Sequence, residues 1–126
     1  MSFDITPAVP LGRQLIQSYG DGGFTISDKT YDHPVIIFPE RTLVWKPDDL
    51  VVPTLEAFSS VFDADPPVDI LLVGCGPRTL FMPLIFREMI KEKGVVLEPM
   101  DTGSACRTYN VLLAEERRVA AALIPV

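Results

Sequence analysis

The chain has 126 residues, of which 48% are hydrophobic and 22% are charged, and its formal net charge at pH 7 is −6. This length and composition are typical of one compact unit with a buried core and exclude a disordered chain, so we expect a single domain over residues 1–126. The acidic excess argues against a nucleic-acid partner, because binding to phosphates requires clustered Lys and Arg.

Membrane and export signals are not recognisable in the sequence. No apolar run is long enough for a membrane span. Met1–Leu11 does not resemble a targeting segment, since Asp4 precedes the first basic residue, Arg13. We therefore expect a cytoplasmic protein of bacterial type, with no membrane span.

The first half of the chain has the pattern of β structure. Arg13–Tyr19 can form a strand, and the glycine-rich run Gly20–Gly23 favours a tight turn before a second strand over Phe24–Ser27. The apolar runs Val35–Phe38 and Thr42–Trp45 predict two more short strands. We expect a β hairpin followed by these two strands.

The second half alternates helical and strand patterns. A short helix is expected after a Thr54 cap. The apolar runs Ile70–Val73 and Val95–Leu97 are typical of strands that are covered on both faces, and a helix between them makes the two strands parallel. A last helix from about Ser104 to Glu115 and a final strand over Val119–Ile124 complete the prediction.

The helix between the two buried strands has a predicted apolar face and ends at Gly94. The residues of this face recur at helical spacing: Met82, Ile85, Phe86, Met89 and Ile90.

Two polar loops follow the two buried strands, over Gly74–Pro77 and Asp101–Gly103. The carboxyl ends of neighbouring parallel strands meet at one edge of a sheet, and helix N-termini at such an edge attract anions. We therefore predict a crevice that binds a small anion such as phosphate or a carboxylate. In the competing interpretation, the arginines pair with Asp101 or Glu98 and only hold the loops together. The candidate ligand-binding residues are Gly74, Cys75, Gly76, Arg78, Asp101, Thr102, Gly103 and Arg107.

These loops resemble known catalytic or cofactor motifs only in part. Thr79 stands where the third glycine of a dinucleotide-binding loop would be, and Leu72 stands where methyltransferases carry an acidic residue. Asp101-Thr102-Gly103 spells the triplet of aspartic proteases, but a helix is predicted directly after it. The tight strand-to-helix turn is the simpler interpretation, and no catalytic residue and no cofactor are assigned.

The two cysteines, Cys75 and Cys106, could face each other across the predicted crevice, where a helix N-terminus would favour a thiolate. The chain has no C-x-x-C pair, and its single histidine, His33, lies in the other half. Two cysteines and one histidine are also too few for a structural zinc site. We expect inert, buried, reduced thiols and no bound metal.

Three motifs resemble those of a widespread family of small uncharacterised domains that includes the mitochondrial complex I (NADH:ubiquinone oxidoreductase) assembly factor 3 and an adipogenesis-associated protein. The resemblance covers roughly Ile16 to Ile124. The motifs are Ser18–Phe24 with Thr30-Tyr31, then Leu72–Gly76, then Met100–Leu112.

The resemblance implies an α/β fold, namely a three-layer domain with a central mixed β-sheet flanked by helices plus an added β hairpin, in which the last strand runs antiparallel to the others. It also implies a non-catalytic interaction module, with an unidentified protein partner, that assists assembly of a larger, respiratory-type complex. The alternative is a small-molecule or anion-binding enzyme that uses the crevice formed by the loops at 74–78 and 101–107.

Overall fold

The computed structural model describes residues 1–5, 12–47, 50 and 53–126. Within these ranges the helical segments are a 3-10 turn at Leu55–Phe58 that continues into α1 (Ser59–Phe62), α2 (Leu84–Glu92) and α3 (Thr102–Ala114). The strands are β1 (Ser2–Asp4), β2 (Ile16–Gly20), β3 (Gly23–Ile26), β4 (Lys29–Tyr31), β5 (Val35–Ile37), β6 (Thr42–Val44), β7 (Ile70–Gly74), β8 (Val96–Met100) and β9 (Val119–Leu123).

The central sheet is mixed and has five strands in the order β6-β5-β9-β7-β8. Strands β7 and β8 are parallel, as predicted, with Leu71 opposite Leu97. The expected direction of the last strand, antiparallel to the others, is wrong: β9 lies between β5 and β7, antiparallel to β5 but parallel to β7. Its three central alanines, Ala120–Ala122, are fully buried, and their small side chains let both layers pack closely on the middle of the sheet.

Two clusters of buried side chains cover the two faces of this sheet. One face packs Leu71, Val73 and Leu97 against the 3-10 turn before α1 and against α2, through Phe58, Phe86 and Ile90. The other face packs Leu72, Ala121 and Leu123 against α3 and the second sheet through Ile16, Phe24 and Tyr109. The α/β architecture with a mixed sheet and helices on both faces is therefore confirmed, and each layer is held by apolar burial.

The predicted hairpin is part of a second, four-stranded antiparallel sheet in the order β1-β2-β3-β4. Asp21 and Gly22 have φ angles of 53° and 79°, and Ser27 and Asp28 have φ angles of 46° and 68°. Positive φ angles at both central residues are typical of two-residue hairpin turns. The twist of such a turn matches the twist of the two strands that it connects. The edge strand β1 was not predicted, because its side chains are exposed and carry no apolar pattern.

The predicted apolar face of α2 is correct only in part. Phe86 and Ile90 are buried, whereas Ile85 and Met89 are 71% and 40% exposed. The helix begins after Pro83, so Met82 is buried from the preceding loop and does not belong to the helix. With only nine residues, α2 covers the sheet with a narrow stripe, and its apolar side chains on the flanks remain in solvent.

The predicted caps and helix ends are largely correct. The Thr54 hydroxyl accepts a hydrogen bond from the backbone N–H of Ala57 at 3.4 Å. Gly94 follows the end of α2 with a φ of 85°, a conformation that favours glycine.

None of the helices in the described part of the chain combines the length and the apolarity that crossing a bilayer requires.

Candidate functional site

The two predicted loops lie side by side at the carboxyl ends of β7 and β8. The backbone N–H of Cys75 donates to the carbonyl of Met100 at 2.8 Å, and the N–H of Thr102 donates to the carbonyl of Gly76 at 2.9 Å. These two hydrogen bonds bring the predicted site residues 74–76 next to the predicted site residues 101–103. This proximity follows from the parallel pairing of the two strands.

Thr102 fills the space between the two loops. Its hydroxyl accepts a hydrogen bond from the N–H of Gly76 at 2.9 Å and donates one to the carbonyl of Ile124 at 2.7 Å. A Cβ at Gly74 would lie 3.0 Å from the Cα of Thr102 and 2.9 Å from the Leu123 side chain. The glycine at position 74 is therefore explained by close packing of protein on protein, and Thr102 joins β7, α3 and the end of β9.

The N-terminus of α3 is capped by a carboxylate of the chain itself. One oxygen of Asp101 accepts the N–H of Ser104 at 2.9 Å, and the other accepts the Ser104 hydroxyl at 2.8 Å. The backbone hydrogen bond from Ser104 is the main cause that lowers the pKa of Asp101. The N–H groups of Thr102 and Ala105 also have intramolecular acceptors. These contacts give no support to a bound anion at this helix end, because the Asp101 carboxylate already holds that position.

Arg107 connects this cap to the second sheet. Its guanidinium donates to the Tyr19 hydroxyl and, at 3.3 Å, to the Ser104 hydroxyl. Among the described residues, neither Arg78 nor Arg107 forms the direct ion pair that the competing interpretation required; Arg107 reaches Asp101 through the Ser104 hydroxyl. Arg78 is exposed, and no hydrogen bond within the described part of the chain joins it to this network.

Tyr19 belongs to this network and was missed by the sequence prediction. Its hydroxyl and ring lie over Gly103, where an added Cβ would be 3.0 Å from the Tyr19 oxygen and 3.1 Å from its ring. Phe3 stacks on the ring with the two centroids 5.2 Å apart. Tyr19 lies in the first of the three family motifs and Gly103 in the third, so this contact physically links two motifs that are far apart in sequence.

Asn110 is a second residue that the sequence prediction missed. It is 4% exposed, its amide oxygen accepts the N–H of Ile16 at 3.1 Å, and its amide nitrogen donates to the carbonyl of Ile16 at 2.8 Å. From the preceding residue, the Tyr109 hydroxyl donates to the carbonyl of Gln14 at 2.7 Å. Both side chains satisfy backbone groups of the segment entering β2, so α3 and the second sheet are fastened together by buried polar contacts.

The two cysteines do not face each other. Cys75 belongs to the cluster under α1 and α2, and Cys106 belongs to the cluster under α3, on the opposite face of the sheet. The reason is that Cys75 continues β7, whereas Cys106 lies on the helix that covers the other face. Both are free and buried, as predicted, and burial raises the pKa of Cys106 to about 12. Within the described ranges, no group of three or more His, Cys, Asp or Glu side chains is placed to hold a metal ion.

Comparisons with known proteins give the chain a family. The family model described as protein of unknown function (DUF498/DUF598) matches residues 16–124. A Danio rerio protein named NADH dehydrogenase (ubiquinone) 1 alpha subcomplex assembly factor 3 is 34% identical over 111 residues, which are 88% of this chain and 64% of that protein. The Bos taurus protein of the same name is also 34% identical, with 60% of its length covered. The chain thus spans less than two thirds of these relatives.

Bacterial proteins match over most of their own length. An uncharacterised Rhodobacter capsulatus protein is 38% identical over 116 residues, which are 91% of this chain and 87% of that protein. A crystal structure from Bartonella henselae, described as an outer membrane protein, is 38% identical with a TM-score of 0.80 and covers 91% of this chain and 97% of that one. A Bordetella pertussis structure described as an Mth938-like domain has a TM-score of 0.78 at 25% identity and covers 98% of this chain and 92% of that one. The chain belongs to the DUF498/DUF598 family and has the fold of the Mth938-like domain.

Proposed function

We propose that this chain is a non-catalytic interaction module that assists the assembly of a larger, respiratory-type complex. The observation that carries the proposal is its relation to proteins named as assembly factors of NADH dehydrogenase, with 34% identity over 88% of this chain. The aligned part contains the domain and lacks more than a third of the Danio rerio protein, so the proposal concerns what the shared domain does.

The contacts at the predicted crevice support a structural role for the family motifs. Tyr19 packs on Gly103 and accepts a hydrogen bond from Arg107, and the Thr102 hydroxyl accepts the N–H of Gly76 in the neighbouring loop. Side chains held in one conformation by packing and hydrogen bonds position the surface groups beside them. The small-molecule enzyme that we considered as an alternative gains no support from these contacts.

The two exposed cations of the site are the groups that a partner would meet. Arg78 and Arg107 both reach the surface at the carboxyl edge of β7 and β8. A carboxylate on a client subunit would find there the charged donors that we assigned from the sequence to a small anion. We therefore place the contact with the client at this edge and name Arg107 as its main donor.

Capture of the native complex tests this proposal. The tagged chain is cross-linked in cells, purified, and analysed for subunits of the NADH dehydrogenase complex by quantitative mass spectrometry. We expect those subunits to be enriched by the wild-type chain, less enriched by Arg107→Ala, and retained by Arg117→Ala, a matched loss of one exposed arginine elsewhere. Equal capture by both variants would remove Arg107 from the interface, and no enrichment of any such subunit would contradict the assembly role.

A further inference from the structure

The contact between α3 and the second sheet restricts an arginine side chain at the surface. Arg107 is exposed, and its guanidinium donates to the Tyr19 hydroxyl and, at 3.3 Å, to the Ser104 hydroxyl. The two acceptors belong to different elements, since Tyr19 is on β2 and Ser104 is in the first turn of α3. An arginine without such contacts samples many rotamers, so two acceptors on separate elements limit where this guanidinium can lie.

Both acceptors are themselves held in place. Tyr19 is 7% exposed, and Phe3 stacks on its ring with the two centroids 5.2 Å apart. Gly103 makes room for the ring, because an added Cβ there would lie 3.0 Å from the Tyr19 oxygen. The Ser104 hydroxyl donates to the carboxylate of Asp101 at 2.8 Å. Each support of the guanidinium is therefore fixed by a further contact.

These contacts leave the positive charge of Arg107 without an ion pair in the described part of the chain. Both acceptors are neutral hydroxyl groups. Asp101, the acidic side chain of this network, uses one oxygen for the N–H and the other for the hydroxyl of Ser104. A guanidinium has more N–H groups than the two that are used here, so donors remain for a carboxylate from outside the chain.

We propose that Tyr19 is a positioning residue of the client contact, because its hydroxyl holds the Arg107 guanidinium where the remaining N–H groups meet a carboxylate of the client. The inference rests on the proposed function and adds the residue that orders the arginine before the client arrives. A side chain that is already ordered loses less freedom on binding, which is worth about twofold to tenfold in affinity.

Tyr19→Phe tests this role, since it removes the hydroxyl and keeps the ring that packs on Phe3 and Gly103. Circular dichroism checks that the variant is folded. Tyr31→Phe is the matched control. Tyr31 lies in the same row of the second sheet, with Phe24 between it and Tyr19, and its hydroxyl forms no hydrogen bond within the described part of the chain.

The first measurement uses the purified chain without a client. NMR spectroscopy of the Arg107 side chain measures the rate of rotation about its Nε–Cζ bond. We expect slow rotation in the wild type and in Tyr31→Phe, and faster rotation in Tyr19→Phe, because the guanidinium has lost one of its two acceptors. Equal rates in the wild type and Tyr19→Phe would overturn the positioning role.

The second measurement is the cross-linked capture of NADH dehydrogenase subunits, quantified by mass spectrometry. We expect Tyr19→Phe to lower the capture by about twofold to tenfold and Tyr31→Phe to leave it unchanged. In an Arg107→Ala background, Tyr19→Phe should have no further effect, because no guanidinium is left to position. If Tyr19 served only the general stability of the fold, it would lower the capture by the same factor in both backgrounds.

The outcomes separate this inference from the assembly role. Capture that falls with Arg107→Ala but not with Tyr19→Phe would overturn the positioning role and keep the client contact at Arg107. An equal loss from Tyr19→Phe in both backgrounds would overturn the positioning role as well. Capture that Arg107→Ala does not change would remove the contact and this inference together. No capture of any such subunit by the wild type would contradict the assembly role and, with it, the client that the inference requires.

Discussion

Thr102 is the residue on which the junction of the two loops depends, because one buried hydroxyl serves both the Gly76 N–H and the Ile124 carbonyl. Thr102→Val keeps the shape and leaves both groups without a partner, which should lower the free energy of unfolding by about 2 to 4 kcal/mol. Thr102→Ser keeps the hydroxyl and loses a methyl group, for a cost of about 1 kcal/mol. Urea unfolding of both variants measures the difference. Equal destabilisation would show that the hydroxyl contributes nothing.

Cys106 is predicted to be chemically silent in the folded protein. It is fully buried, and its raised pKa of about 12 keeps the thiol protonated at neutral pH. In a Cys75→Ala background, a maleimide should leave Cys106 unmodified in buffer at neutral pH and modify it rapidly in concentrated urea. A folded protein that reacts as fast as free cysteine would contradict the inert-thiol account and would require an activating group near Cys106.

The loop residues were partly predictable, whereas their partners on the second sheet were not. The two loops follow adjacent parallel strands, so their proximity follows from local pattern and topology. The bond from Arg107 to Tyr19 joins residues 88 positions apart, and strand or helix periodicity says nothing about such a pair. The closest signal in the sequence was that Tyr19 and Gly103 lie within two of the motifs shared with the family.

At the scale of elements, the predicted strands and helices were mostly correct because their apolar periods are clear, and the errors arose where packing decides. The direction of β9 relative to its neighbours depends on which strands it pairs with, and its apolar run does not encode that pairing. The exposure of Ile85 and Met89 depends on the short length of α2 and on where it begins. Strand β1 is defined by its pairing with β2, which the pattern of its own residues does not indicate.

One ion pair links the end of β5 to the start of β9. Arg118 donates to both carboxylate oxygens of Glu40, at 2.8 Å and 3.0 Å. The hydrogen bond from Arg118 lowers the pKa of Glu40. A carboxyl group with a lowered pKa in the folded state stabilises that state at pH values above its ordinary pKa, and the contribution is lost as pH falls through the lowered value.

The pH dependence of stability tests this pair. The side chains of Arg118 and Glu40 are 24% and 40% exposed, so Glu40→Gln should cost no more than about 1 kcal/mol at pH 7. The difference from the wild type should disappear as the solution is acidified through the lowered pKa of Glu40. Glu56→Gln, which removes an exposed carboxylate without an ion pair among the described residues, is the control. A cost for Glu40→Gln that is the same at acidic and neutral pH would contradict the ionic explanation.

At the scale of the whole molecule, charge and exposed apolar surface are unevenly distributed. The chain carries a net charge of −6, yet Arg78, Arg87, Lys91 and Arg107 all belong to its second half. The exposed side chains Phe81, Leu84 and Val96 line the free edge of the central sheet beside α2. Composition predicted neither surface, because both depend on which side chains the fold leaves uncovered. The resemblance to the family was the only source of the assembly role.

The most direct test of that role is removal of the gene in the organism that carries it. Native gel electrophoresis of its membranes then measures the assembled NADH dehydrogenase complex, with another respiratory complex as the internal control. We predict that the assembled complex decreases, that partial assemblies accumulate, and that the wild-type chain restores it. An unchanged amount of fully assembled NADH dehydrogenase in the deletion strain would contradict the assembly role.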